Sequence, residues 1–139
     1  MDRSSPEGKG KLVRHANIVS AVLDSLGLCK MAALSVIADF SLEREARLVS
    51  ALSGWDLTAE DLFKIGQQII TDERKLNMVY GMVPSDDDLP VKFFEDPIPS
   101  GSTKGQTVDL SEMLRDYYAA MGWDAEGNPP DNPPEESDF

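Results

Sequence analysis

Leu12, Ala16, Val19, Val22, Leu23 and Leu26 recur at the three- and four-residue spacing of one helical face. That pattern predicts a first helix over about Lys11 to Leu26. Gly27 follows where a left-handed C′ residue belongs, since glycine takes that conformation without a Cβ penalty, and Leu28 is expected to fold back on Leu23. The run Met31 to Ala38 is apolar on nearly every side, so it reads as buried all round or matched to a partner. Ser41 is expected to cap a third helix carrying Leu42, Ala46, Val49 and Leu52 on one face, with Gly54 as its stop. Thr58-Ala59-Glu60-Asp61 opens a fourth, with Thr58 as cap and acids in the first turn. Leu62, Ile65, Ile69, Leu76 and Tyr80 extend its stripe to about Tyr80. Gly66 costs about 1 kcal/mol against alanine inside that helix, which predicts close approach by another helix.

From Gly81 to Val108 the periodicity stops. Pro84, Pro90, Pro97 and Pro99 argue against helix, while Leu89, Val91, Phe93, Phe94 and Ile98 are too apolar for disorder. An extended strap packed across the helices is expected. Asp109-Leu110-Ser111-Glu112 is a capping-box arrangement, and Leu110, Met113, Leu114, Tyr117 and Met121 form the face of a last helix that Gly122 ends. Gly122-Trp123-Asp124 repeats Gly54-Trp55-Asp56; both are expected to be matching helix stops with anchoring indoles. The fold class is therefore all-α, about five helices in an irregular orthogonal bundle, with a Pro-rich strap between the fourth and last helices. Residues 1–9 read as a flexible lead-in, 10–125 as the helical domain and 126–139 as a disordered acidic, Pro-rich tail.

Charge and composition narrow the function. Thirteen basic residues stand against twenty-five acidic ones, a net −12 that disfavours a nucleic-acid surface. No apolar run reaches the length of a membrane span and no signal-peptide pattern opens the chain, so no membrane partner is expected. A single cysteine excludes an internal disulfide framework and suits a reducing cytoplasm. A single histidine, His15, excludes a histidine-built metal site and reads as a partly exposed helix-face residue. Lys92 and Lys104 read as solvated lysines before substrate ligands, and Tyr117 and Tyr118 as core and rim.

The chemistry concentrates at Asp24-Ser25-Leu26-Gly27-Leu28-Cys29. Asp24 falls in the last helical turn, where the dipole disfavours an acid by about 0.3–1 kcal/mol, so capping alone does not explain it. A lone cysteine is ordinarily buried and inert. Here Cys29 lies between two helices, and the N–H groups opening the second favour a thiolate or an anionic cluster.

The motif Asp24-x-x-Gly27-Leu28-Cys29 resembles the second cofactor-binding motif of the aldehyde:ferredoxin oxidoreductases, tungsten or molybdenum pterin enzymes. Ser53 to Thr58, Leu62 to Ile69, Leu89-Pro90 to Phe93, Pro97-Ile98-Pro99, Lys104-Gly105 and Met113-Leu114 to Gly122-Trp123-Asp124 follow in the same order. The series runs from about Lys9 to Gly127. The resemblance implies that Cys29 is one of four ligands of a [4Fe–4S] cluster and that Asp24 and Leu28 line a pterin of the tungsten- or molybdenum-bis-pterin cofactor. It implies that the parent enzyme oxidises aldehydes to carboxylic acids and passes electrons to ferredoxin. A cluster takes four thiolates and this chain has one, so the remaining N-terminal domains of a parent are expected partners. The parent's catalytic acid–base residues are expected outside this chain. The isolated chain is expected to be inactive, to hold no cofactor and to self-associate through the Cys29 edge as a homodimer. Two other readings stay open: a stand-alone helical interaction module that lost the cofactor, and a related reductase subunit acting on aromatic acyl-CoA.

Overall fold

A computed structural model describes residues 5–33 and 40–131. Among them every regular element is helical, in agreement with the all-α expectation. The elements are α1 (Lys9–Ser25), α2 (Glu43–Ser53), α3 (Ala59–Val79), a 3-10 turn (Pro84–Asp86), the single-turn α4 (Lys92–Glu95) and α5 (Leu110–Met121). Residues 30–33 are also helical. The rest of the second predicted helix, Leu34 to Ala38, lies outside the described residues. The chain divides into two units, His15–Arg74 and a second made of Met1–Arg14 with Lys75–Phe139.

In the His15–Arg74 unit, Val19, Val22 and Leu23 of α1 pack with Ala33, Leu42, Ala46 and Leu62, and Leu26, Leu28, Leu57 and Phe63 close the margin. Gly66 permits this packing. A Cβ there would stand 2.8 Å from the Ile18 carbonyl oxygen and 2.9 Å from Cγ2 of both Ile18 and Val22. The helix approach expected at Gly66 is therefore present. His15 is half-buried, its ring 4.9 Å from that of Phe63. The stripe expected on α3 is only partly right. Leu62 is buried, but Ile65, Leu76 and Tyr80 are exposed, and Gly66, Thr71 and Arg74 take the buried positions. The true inward face is rotated from the apolar one because a glycine contact sets the closest approach.

Helix starts follow local chemistry in one case and depart from it in another. Thr58 Oγ1 accepts from Asp61 N at 3.2 Å, and the Asp61 carboxylate accepts from Thr58 N at 2.8 Å, a reciprocal cap. Ser41 is not the cap of α2. Leu42 holds that position in the left-handed region, φ 63°, with its side chain 1% exposed, while Ser41 Oγ accepts from Glu43 N at 3.3 Å. Burial of the leucine side chain decides the geometry there. Of the face expected on α2, Leu42 and Ala46 are buried, Val49 is half-buried and Leu52 is 80% exposed.

In the second unit, Gly10 lies against α5, where a Cβ would collide with the Tyr117 backbone nitrogen. Asp109 caps α5 by accepting from Glu112 N at 3.2 Å. Tyr118, Met121 and Trp123 are buried, and the indole meets Tyr117 edge-on at 5.8 Å. The prolines of the strap do admit helix: the single turn Lys92–Glu95 fits between Pro90 and Pro97. Beyond it Ile98 and Gln106 pair through Ile98 N to Gln106 O at 3.1 Å, closing a loop over Gly101 and Gly105. Lys92 stands 5.3 Å over its neighbour Phe93. Residues 126–131, assigned to the tail by composition, begin inside a hydrogen-bonded loop. There the Asp124 carboxylate accepts from Glu126 N, Asn128 N and Asn128 Nδ2.

Candidate functional site

The turn that carries the single cysteine is built by glycine geometry. Gly27 has φ +67°. Its N–H donates to Asp24 O at 3.1 Å, and Leu28 N–H donates to Leu23 O at 2.9 Å. This pair of bonds is the Schellman ending expected for α1. The reversal brings Leu28 back against the core beside Leu23, as the sequence suggested. Because Leu28 has spent its N–H on Leu23, its carbonyl is what its backbone can offer a ligand.

Cys29 follows and is exposed. Its carbonyl accepts from Ala33 N at 3.0 Å, so it stands at the N-cap of the helical residues 30–33. The expectation that Cys29 lies between two helix ends is met. An exposed thiol at a helix start suits ligation, because the unpaired N–H groups there favour negative charge. No group of three or more metal-binding side chains gathers among the described residues, and one thiolate cannot hold a [4Fe–4S] cluster unaided.

Asp24 is 61% exposed in the last turn of α1. Its Oδ2 lies 2.7 Å from Lys30 Nζ, an ion pair that spans the Gly27 turn. Sequence reasoning missed Lys30. The signal was present: opposite charges six residues apart flank a helix-ending glycine, and each stands at the end of its helix that the dipole disfavours. The negative end of α1 would attract a cation and the positive end of residues 30–33 an anion. Pairing the two charges across the turn offsets part of that cost.

The donor set suits the implied groups: a free thiol for iron, and a carboxylate and a backbone carbonyl able to accept from the N–H groups of a pterin. Met31, two residues past the cysteine, is exposed, and Leu52 and Trp55 of the same unit are exposed as well. Trp55 was expected to anchor the end of α2 and does not; its indole is 67% exposed. No helix among the described residues is long and apolar enough to cross a membrane.

Comparison with known proteins places the chain. A family described as "Aldehyde ferredoxin oxidoreductase, domains 2 & 3" matches residues 1–136. A tungsten-containing aldehyde ferredoxin oxidoreductase of Pyrococcus furiosus is 42% identical over 113 residues, which is 81% of this chain and 18% of that protein. The protein of the same name from Thermococcus kodakarensis is 39% identical over 119 residues, 85% of this chain and 19% of its own length. An "Aliphatic sulfonate oxidoreductase, WOR-like subunit" of Pyrococcus furiosus is 33% identical over 121 residues. The chain thus spans about a fifth of the length of the curated relatives it matches.

Proposed function

The chain belongs to the aldehyde ferredoxin oxidoreductase family, and from that premise we propose that it is the C-terminal helical portion of a pterin-dependent tungsten or molybdenum oxidoreductase. In the reaction an aldehyde and water give a carboxylic acid, two protons and two electrons, and the electrons leave for ferredoxin. The bound metal–pterin and cluster supply the redox chemistry, and the protein supplies binding and orientation. In this reading Cys29 gives one thiolate to the cluster, while Asp24 and the Leu28 carbonyl accept from a pterin. Residues 10–125 form the domain that closes over that cofactor, and the remaining domains bring the other three thiolates. Met31, beside Cys29, is covered by those domains; where they are absent, a second copy of the chain takes their place along the Cys29 edge.

The observation that carries the proposal is the Gly27 turn, which presents a free thiol at a helix start one residue past a backbone-anchored leucine. Cys29→Ser in the assembled enzyme should lower iron per protein and stop electron delivery to ferredoxin. Full iron and full ferredoxin reduction would sink the assignment. A second reading has an observation of its own: one relative, 33% identical over 121 residues, is named for a sulfonate rather than an aldehyde. In that case the Cys29 result stands while aldehydes fail as electron donors.

A further inference from the structure

We propose that Lys30 is a positioning residue of the cofactor site, holding one oxygen of the Asp24 carboxylate so that the other is aimed at the pterin. The inference rests on the assignment of Asp24 to the pterin made above. Three observations support it. Lys30 Nζ stands 2.7 Å from Asp24 Oδ2, a short, charge-assisted contact. The pair straddles the turn carrying Leu28 and Cys29, so it ties together the two ends of the cofactor segment. Both side chains are substantially exposed, and exposed ion pairs contribute only about 0–1 kcal/mol to stability. Stability alone therefore gives little reason for placing an acid at the negative end of α1.

The chemistry of a pterin gives a reason. Its N–H groups lie in a plane and need an acceptor held at a fixed angle, whereas an aspartate in an exposed last turn samples several rotamers. An ammonium on Oδ2 restricts that freedom and leaves Oδ1 to accept. Among the described residues Asp24 has Lys30 as its side-chain partner. Orienting partners of this kind typically set ligand affinity at metal sites by about 10–100-fold without touching the ligand themselves.

The test measures how fast tungsten is lost from the assembled enzyme, together with iron content and thermal midpoint. Lys30→Gln should lose tungsten roughly tenfold faster, the lower end of that range, with iron content and midpoint unchanged. Lys30→Arg, which keeps the charge, should restore retention. In an Asp24→Asn background, Lys30→Gln should add nothing, because Lys30 acts through that carboxylate. Normal retention in Lys30→Gln, or an undiminished further loss in the Asp24→Asn background, overturns the proposal. The two levels separate cleanly. Asp24→Asn with normal retention overturns the pterin assignment itself, whereas weak retention in Asp24→Asn beside normal retention in Lys30→Gln overturns only the role of Lys30.

Discussion

Gly54-Trp55-Asp56 and Gly122-Trp123-Asp124 share three residues and one backbone device, yet their indoles have opposite fates. Both glycines end a helix in the left-handed region, at φ 77° and 73°. After Gly122 the indole N–H-bearing residue donates its backbone N–H to Tyr118 O at 2.9 Å, and its ring settles among Tyr117 and Tyr118, 9% exposed. After Gly54 the backbone N–H of Trp55 instead meets Ser53 Oγ at 3.1 Å. Two residues on, Leu57 is pinned to the Ser50 hydroxyl through both its N–H and its carbonyl. The loop is tethered past the tryptophan, and the ring stays 67% exposed. A glycine can dictate where a helix stops, but the last turn of that helix decides whether the next side chain has anything to pack on. Tyr117 and Tyr118 lie close to the end of α5, whereas α2 runs out through Ser50, Ala51, an exposed Leu52 and Ser53.

The widest separation should come from removing the rings. Trp123→Ala is expected to cost about 3–5 kcal/mol, as for a buried aromatic. Trp55→Ala should stay within about 0.5 kcal/mol, as for an exposed site. Urea unfolding of the two variants measures both, and equal losses would erase the contrast. A smaller effect tests the shared part. Gly54→Ala and Gly122→Ala should each cost about 1–2 kcal/mol from the left-handed backbone alone. Nothing lies within 4 Å of either added Cβ, so the two losses should match. Unequal losses would mean that the glycines do different jobs.

The smallest effect concerns the two aspartates. Hydrogen bonds from the Asn128 side chain and backbone hold the Asp124 carboxyl below its ordinary value. A depressed folded value contributes stability above the unfolded one, about 3.9, which is lost as pH falls through the folded value. Asp124→Asn should therefore lower the thermal midpoint slightly at neutral pH and not at about pH 2. Asp56 is exposed, and Asp56→Asn should stay within about 0.5 kcal/mol. A pH-independent loss in Asp124→Asn would show that shape, not charge, holds that loop.

Legibility in the sequence followed the range of the cause. Gly27, Gly54, Gly122, Thr58 and Asp109 act on residues within one turn, and each boundary was readable from them. The inward face of α3 was not, because it depends on Ile18 and Val22 of another helix meeting Gly66. Trp55 was misread for a different reason: the repeated Gly-Trp-Asp triplet was weighed without the Ser50 and Leu52 before it, which give the ring nothing to pack on. At the candidate site the turn at Gly27 and the position of Cys29 were legible from glycine and helix chemistry. The roles given to Asp24, Leu28 and Cys29 came from resemblance, and Lys30 escaped because a contact across a turn follows no helical spacing.

Leu42 poses a problem of handedness. Its backbone sits at φ 63°, which costs an L-residue about 1–2 kcal/mol, while its side chain is 1% exposed in the core. Glycine would relieve the backbone but forfeit more, since emptying a buried leucine site typically costs about 2–5 kcal/mol. A D-leucine introduced by chemical synthesis would find the backbone comfortable. Its Cβ, however, would project where the α-hydrogen now lies, away from the cavity the isobutyl group fills. No residue of either chirality satisfies main chain and core together, so the start of α2 is a fixed compromise between stereochemistry and packing.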